Sequence, residues 1–216
     1  MKSLQPIVAN RTNAILVIVD VQNRNCHPDG ESWDEHKARV VPPALAVIGD
    51  LVGRARETEV PIVYIQSVRT HDEPEVTVFG YKKGMKVGSW DVEIVDAIRP
   101  RPEDHVVQKF SHDAFYRTKL DAVLDELVPE PTECFALLVG GATNLCVYHA
   151  TMGFYLRNYW TVVATDGCYT RYDEGRDRAL AQFSEPSYPN IFLSSSNLIE
   201  LSADPSFTGP RPVPGR

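Results

Sequence analysis

The stretch CFALLVGGATNLCVYHA, residues 134–150, decides the fold. Its first six residues are apolar without polar alternation, as in a strand buried on both faces of a parallel sheet. Two glycines end that run, and the residues from Asn144 to Asn158 suit a helix. A strand handing over to a helix at a Gly-rich turn is half of a βαβ unit. Cys146, just past the turn, can be a packing residue, a redox partner or a nucleophile.

Working outward, the same kind of run recurs: AILVIV at 14–19, VPIVYI at 60–65, HVVQ at 105–108, TVVA at 161–164 and IFL at 191–193. Between them lie helical patterns. Residues 38–58 open near Pro42 and Pro43 and carry Leu45, Ile48, Leu51 and Val52; residues 118–127 repeat Leu120, Leu124 and Leu127; residues 173–183 are amphipathic. Strands alternating with helices imply right-handed crossovers and an α/β, doubly wound parallel sheet of about six strands.

With 216 residues, 43% of them hydrophobic and 24% charged, the chain has an ordinary globular composition, long enough for one sizeable core. One domain over 1–201 followed by a Pro-rich tail, 202–216, is expected. The net charge of -7, 22 basic against 29 acidic residues without a block of either sign, argues against nucleic acid or an anionic membrane as partner. No segment approaches the roughly 18 uninterrupted apolar residues of a membrane helix. MKSLQPIVANRTN lacks the apolar core of a signal peptide, so a cytoplasmic protein is expected. Cys26, Cys134, Cys146 and Cys168 form no CxxC pair, which suggests neither a redox dithiol nor a structural zinc site.

Two stretches break the rhythm. Residues 66–92, a long Gly-containing connection, are a candidate lid or subunit contact. The tail from Ser202 has four prolines and is expected to be disordered or an extended arm on a neighbouring subunit.

Ligands of an open parallel sheet bind outside the carboxyl ends of its strands. Asp20 follows the first run, Lys109 the third, and the turn leading to Cys146 the fourth. Singly, Asp20 reads equally well as a turn residue, while Lys109 reads better as a solvated strand-end lysine and Cys146 better as a small buried hydrophobe. A carboxylate, an ammonium and a thiol converging on one sheet edge instead form the pattern of a functional site. A helix start, capped by Thr143 or Asn144, and the charge of Lys109 are expected to lower the pKa of Cys146. Asp20 then takes the thiol proton and returns it to a leaving nitrogen, while the Gly-Gly-Ala turn presents backbone N–H groups to an oxyanion. The chemistry is acyl transfer through a thioester.

VIVDVQN at 17–23, VVQKFSHDAF at 106–115 and VGGATNLCV at 139–147 together resemble the three signatures of the isochorismatase-like cysteine hydrolases, and the likeness runs from about Asn13 to Leu201. That resemblance implies a three-layer, Rossmann-like fold with a six-stranded parallel sheet and helices on both faces. It implies an Asp20–Lys109–Cys146 triad, a cis peptide between Gly141 and Ala142, and an oxyanion hole from the N–H groups of Ala142 and Cys146. It also implies a homo-oligomer, dimer or tetramer. Isochorismatases proper cleave a vinyl ether without needing the cysteine, so Cys146 points away from them. Nicotinamidases carry an Asp-x-His and a further His as metal ligands; QSVRTHDEPE here has His71 before Asp72, so neither metal nor cofactor is expected. KVGSWDVEIVDAIRPRPEDHVVQK at 86–109 is similar to amidases of small ureido and carbamoyl compounds, the ureidoacrylate and N-carbamoylsarcosine amidohydrolases among them. Arg24, Asn25 and the FSHD at 110–113 depart from that pattern and alter the pocket wall.

Candidate substrate contacts are Gln22 and Asn23 beside Asp20, Arg69 as a carboxylate clamp, Phe115 and Tyr116 as an aromatic wall, and Asn144 and Tyr148 flanking Cys146. Trp33 and Trp90 lie in loops able to close the pocket or meet a subunit. Each has a structural alternative in turn stabilisation, core packing or solvation. The leading expectation is a cysteine amidohydrolase acting on a small amide, carbamoyl or ureido compound. The alternatives are a nicotinamidase-like amidase and a non-catalytic relative that binds a small metabolite.

Overall fold

A computed structural model describes residues 2–80, 84–128 and 130–212. Within them the chain forms β1 (Ile7–Asn10), β2 (Ala14–Val19), β3 (Ile62–Ser67), β4 (His105–Lys109), β5 (Phe135–Gly141), β6 (Trp160–Tyr169), β7 (Ile191–Ser194) and β8 (Ile199–Ser202). Its helices are α1 (Asn23–Cys26), α2 (Glu35–Glu57), α3 (Pro74–Thr77), α4 (Leu120–Leu127), α5 (Cys146–Leu156) and α6 (Asp173–Phe183). Six strands make one parallel sheet in the order β4-β3-β2-β5-β6-β7. The chain winds outward from β2 to β4, returns to β5 and winds the other way, so the order reverses between β2 and β5.

All six residues of β2 are buried, and their alternation divides the core. Leu16 and Ile18 face α2, where Ile48, Leu51 and Val52 meet them. Ile15, Val17 and Val19 face the opposite layer with Leu124 of α4, Val147 and Phe154 of α5 and Leu180 of α6. Each large apolar side chain so buried contributes about 1.5 to 3 kcal/mol. The result is the expected three-layer α/β architecture with helices on both faces.

Several boundaries differ from the sequence reading. The helix α2 starts three residues early because Asp34 accepts from Lys37 N at 2.8 Å as its N-cap, and it runs through Pro42 and Pro43 rather than opening at them. The strand β6 extends five residues past its apolar run through a register irregularity opposite Leu138 and Gly140. A second parallel pair, β1 with β8, was not read from the sequence; its strands are four residues each. Its Ile7, Ala9 and Ile199 join the α2 core.

The described part of the tail lies along its own chain. Asn10 Nδ2 donates to Pro205 O and Phe207 O at 3.1 and 3.0 Å, and the Arg211 guanidinium sits over Trp160. Residues 213–216 fall outside the described residues. The long connection after β3 contains α3 and exposes Val78 and Phe79; its residues 81–83 also lie outside the description.

Candidate active site

The carboxyl ends of β2 and β5 are adjacent, with Val19 opposite Gly140. Gly140 has φ +114°, and a Cβ there would meet Val19 O at 2.1 Å. Only glycine allows this approach. The next peptide, Gly141–Ala142, is cis, and a Cβ on Gly141 would strike the Tyr169 ring at 2.2 Å. Asp20 itself has φ +52°. Its N–H donates to Ile65 O at 2.9 Å, and its carbonyl accepts from Tyr169 Oη at 3.1 Å.

The three groups expected at this edge meet. Lys109, fully buried, places Nζ 3.0 Å from Asp20 Oδ2 and 3.1 Å from Cys146 Sγ, and donates to Ser111 O at 2.9 Å. All three ammonium protons are thereby directed. Asp20 Oδ2 also accepts from Ser67 Oγ at 3.0 Å. Asp20 Oδ1 is buried and has no hydrogen-bond partner of ordinary geometry among the described residues, which leaves an acceptor open beside the sulfur.

Electrostatics correct one expectation. Burial pushes the Cys146 thiol up to about 12, reinforced by Asp20 and opposed by Lys109, so the resting group is a thiol. Burial lowers the Lys109 ammonium, but Asp20 and Cys146 outweigh it and the net direction is upward. One buried cation balances one anion, and Asp20 takes that place. The anticipated caps do not form either. Leu145 is the N-cap of α5, while Thr143 Oγ1 donates to Tyr169 O and Asn144 Oδ1 accepts from Thr170 Oγ1.

Above Cys146 opens a cavity of about 500 Å³ lined by Asp20, Ala142 and Cys146, a size suited to a small ligand. The N–H groups of Thr143, Leu145 and Val147 go to Tyr169 O and Ala142 O. Cys146 opens α5, where helix N–H groups lack intrahelical acceptors.

Of the candidate contacts, Arg69 lines the cavity, buried and paired with Glu75 at 3.2 Å. The others are placed differently. Gln22 is fully buried, donates to Ser67 O and Val92 O, and accepts from Ser67 N, so it ties strand ends together. Asn23 donates to Trp90 O. Phe115 packs edge-on against Phe154 under Arg157, whereas Tyr116 is exposed. Asn144 and Tyr148 line a separate surface depression against α6.

Sequence reasoning missed Ser67, Lys37, Tyr169, Thr170 and Arg171, all of which line the cavity. The departures noted at Arg24 and Asn25 do fall on its wall, as does His112 within the departure at 110–113. His112 Nδ1 is 3.3 Å from Cys146 Sγ; its place three residues after Lys109 was the available signal. Asp20 is the one acid among the described lining residues, against Arg24, Lys37, Arg69 and Arg171. Among the described residues no group of three or more His, Cys, Asp and Glu side chains is placed to hold a metal ion. His71 instead places Nε2 3.1 Å from Gly84 O in the connection after β3.

A doubly wound sheet with a buried Asp-Lys-Cys cluster at its switch point defines the class. The isochorismatase domain family matches residues 14–191. The chain belongs to the isochorismatase family and is a hydrolase of that family. It is 26% identical over 202 residues to the ureidoacrylate amidohydrolase RutB of Methylobacterium radiotolerans, covering 81% of this chain and 74% of that one. It is similar to the crystal structure of N-carbamoylsarcosine amidase from Thermoplasma acidophilum, with TM-score 0.70, 25% identity and coverage of 86% and 97% of the two chains. The nicotinamidase/pyrazinamidase PncA of Bacillus subtilis shares the fold, with TM-score 0.71 at 18% identity over 85% of this chain and 100% of that one.

Proposed function

We propose that the protein hydrolyses a C–N bond of a small amide, carbamoyl or ureido compound through a thioester on Cys146, releasing ammonia or an amine. The observation that carries this reading is Lys109 Nζ held within 3.1 Å of both Asp20 Oδ2 and Cys146 Sγ. Asp20 accepts the thiol proton as sulfur attacks the carbonyl carbon. The cluster then changes from ammonium, carboxylate and thiol to ammonium, carboxylic acid and thiolate with no change in net charge. The N–H groups of Ala142 and Cys146 receive the oxyanion. Collapse returns the proton from Asp20 to the leaving nitrogen, and water later opens the thioester.

The cationic wall supports a substrate that carries an anionic group, with Arg69 as its clamp. The relatives' names, an amidohydrolase of ureidoacrylate and an amidase of N-carbamoylsarcosine, support the same bond type. The test is an ammonia-release screen over small amides and ureido acids, with mass spectrometry to trap the acyl-enzyme. Cys146→Ala is expected to abolish release; hydrolysis above a trace in that variant refutes the mechanism.

A further inference from the structure

In the mechanism above, Lys109 meets the sulfur from a fully buried position, while Asp20 lines the cavity. Asp20 Oδ2 is engaged by Lys109 and Ser67, and every Lys109 proton is directed to a protein acceptor. Water that opens a thioester must come from the cavity, which Lys109 does not line and where Asp20 Oδ1 is the acceptor already used in the first half-reaction. His112 stands on that side, lining the cavity with Nδ1 3.3 Å from Cys146 Sγ.

We propose that His112 is the general base of the second half-reaction, deacylation, so that the two proton transfers of the cycle are divided between Asp20 and His112. The inference rests on Cys146 being the acylated nucleophile. In this step the water oxygen bonds to the acyl carbon while one water proton passes to His112 Nδ1. The carbon–sulfur bond then breaks with its electron pair on Sγ, and the imidazolium proton moves to that sulfur. The products are a carboxylic or carbamic acid, the free thiol and a neutral imidazole, so the site is restored.

The surroundings keep the imidazole unprotonated and in place. Burial first, then Lys109 and His149, lower its pKa, with Arg69 acting in the same direction and Glu75 opposing. These groups come from β4, α5, the connection after β3 and α3, and Cys146 lies beside the ring as well. The His149 ring lies alongside at 24° with centroids 6.0 Å apart. His149 Nδ1 donates to Leu145 O at 2.8 Å, which anchors it to the first turn of α5. A neutral base of this kind acts at neutral pH without prior loss of a proton.

The test uses p-nitrophenyl acetate as a chromogenic acyl donor. Wild-type protein should release a burst of nitrophenol equivalent to one acetyl group per chain, followed by slower turnover. His112→Asn retains a polar atom near the sulfur but cannot take a proton. It should keep the burst, lose about 100-fold in the steady phase and accumulate acetyl-Cys146 visible by peptide mass spectrometry. Independently of any variant, wild-type deacylation should rise with pH to a plateau, with a midpoint below the ordinary imidazole value. Unchanged turnover in His112→Asn, joint loss of burst and turnover, or a flat wild-type profile between pH 5 and 8 would each overturn the assignment. No acetyl-Cys146 in wild-type protein would instead refute the nucleophile reading beneath it.

Discussion

Lys109 directs its ammonium at Cys146 Sγ across 3.1 Å from a position with no solvent exposure. Because the same nitrogen holds Asp20, removing it leaves a buried carboxylate without its counter-ion. Lys109→Met is therefore expected to abolish hydrolysis and to lower stability by about 3 to 5 kcal/mol. The double variant Asp20→Asn with Lys109→Met should lose much less than the sum of the two single changes in urea unfolding. Additive losses would mean that the pair does not share a charge balance.

At Gly140 the backbone excludes every side chain. Gly140→Ala is expected to destabilise the fold by about 1 to 3 kcal/mol from its left-handed backbone alone, with the contact at Val19 O added. It should also slow hydrolysis, because relief of that contact separates Asp20 from the turn leading to Cys146. A variant with the thermal midpoint and rate of the wild type would refute this account of the switch point.

Arg69 should discriminate by charge. Arg69→Met is expected to raise KM for carboxylate-bearing ureido compounds about 10- to 100-fold, as a charge-assisted hydrogen bond of about 1.5 to 3 kcal/mol is lost. For uncharged amides it should change KM little. Equal effects on both kinds of substrate would assign Arg69 to holding Glu75 rather than to recognition.

Alkaline pH should unfold the protein by way of its thiols. Burial pushes Cys26, Cys146 and Cys168 up to about 12, and Cys134 upward as well. An unfolded thiol ionises near 9 while a folded one does not, so the unfolded state gains above pH 9, by at most about 1.4 kcal/mol per pH unit for each thiol. Lys109 acts in the same sense: its raised pKa gives stability that is full below its ordinary 10.5 and lost as pH rises through the folded value. The urea midpoint should hold steady around neutrality and fall between pH 9 and 10; a constant midpoint over that interval contradicts this reading.

Chelation separates the proposed hydrolase from a metal-assisted relative. Dialysis against EDTA is expected to leave ammonia release unchanged, since the described residues include no acidic, histidine and cysteine group placed to hold a metal. Loss of activity restored by zinc or iron would favour a nicotinamidase-like enzyme.

The strands, the main helices and the meeting of Asp20, Lys109 and Cys146 were legible because each signal is local. An unbroken apolar run marks a doubly buried strand, and the residue just past it lies at the ligand edge. The cavity wall was much less so. Tyr169 reaches Asp20 only because β6 continues past Ala164 across an irregular register, and no periodicity announces such an extension. Lys37 arrives from the first turn of α2, and Arg69 and Arg171 from separate connections. The pKa of Cys146 was misjudged because helix position and a nearby cation are visible in a sequence, whereas depth of burial is not.

The reacting atoms and the wall have different structural owners. Asp20, Lys109 and the turn to Cys146 hang from the three strand ends at the middle and edge of the sheet, whereas Arg69, His112 and Arg171 stand on connections and Arg24 on the four-residue helix α1 between β2 and α2. Connections tolerate exchange far better than core strands do. Grafting or randomising those segments onto an untouched sheet therefore offers a route to new acyl acceptors and donors, with the strand framework serving as a reusable chassis for directed evolution.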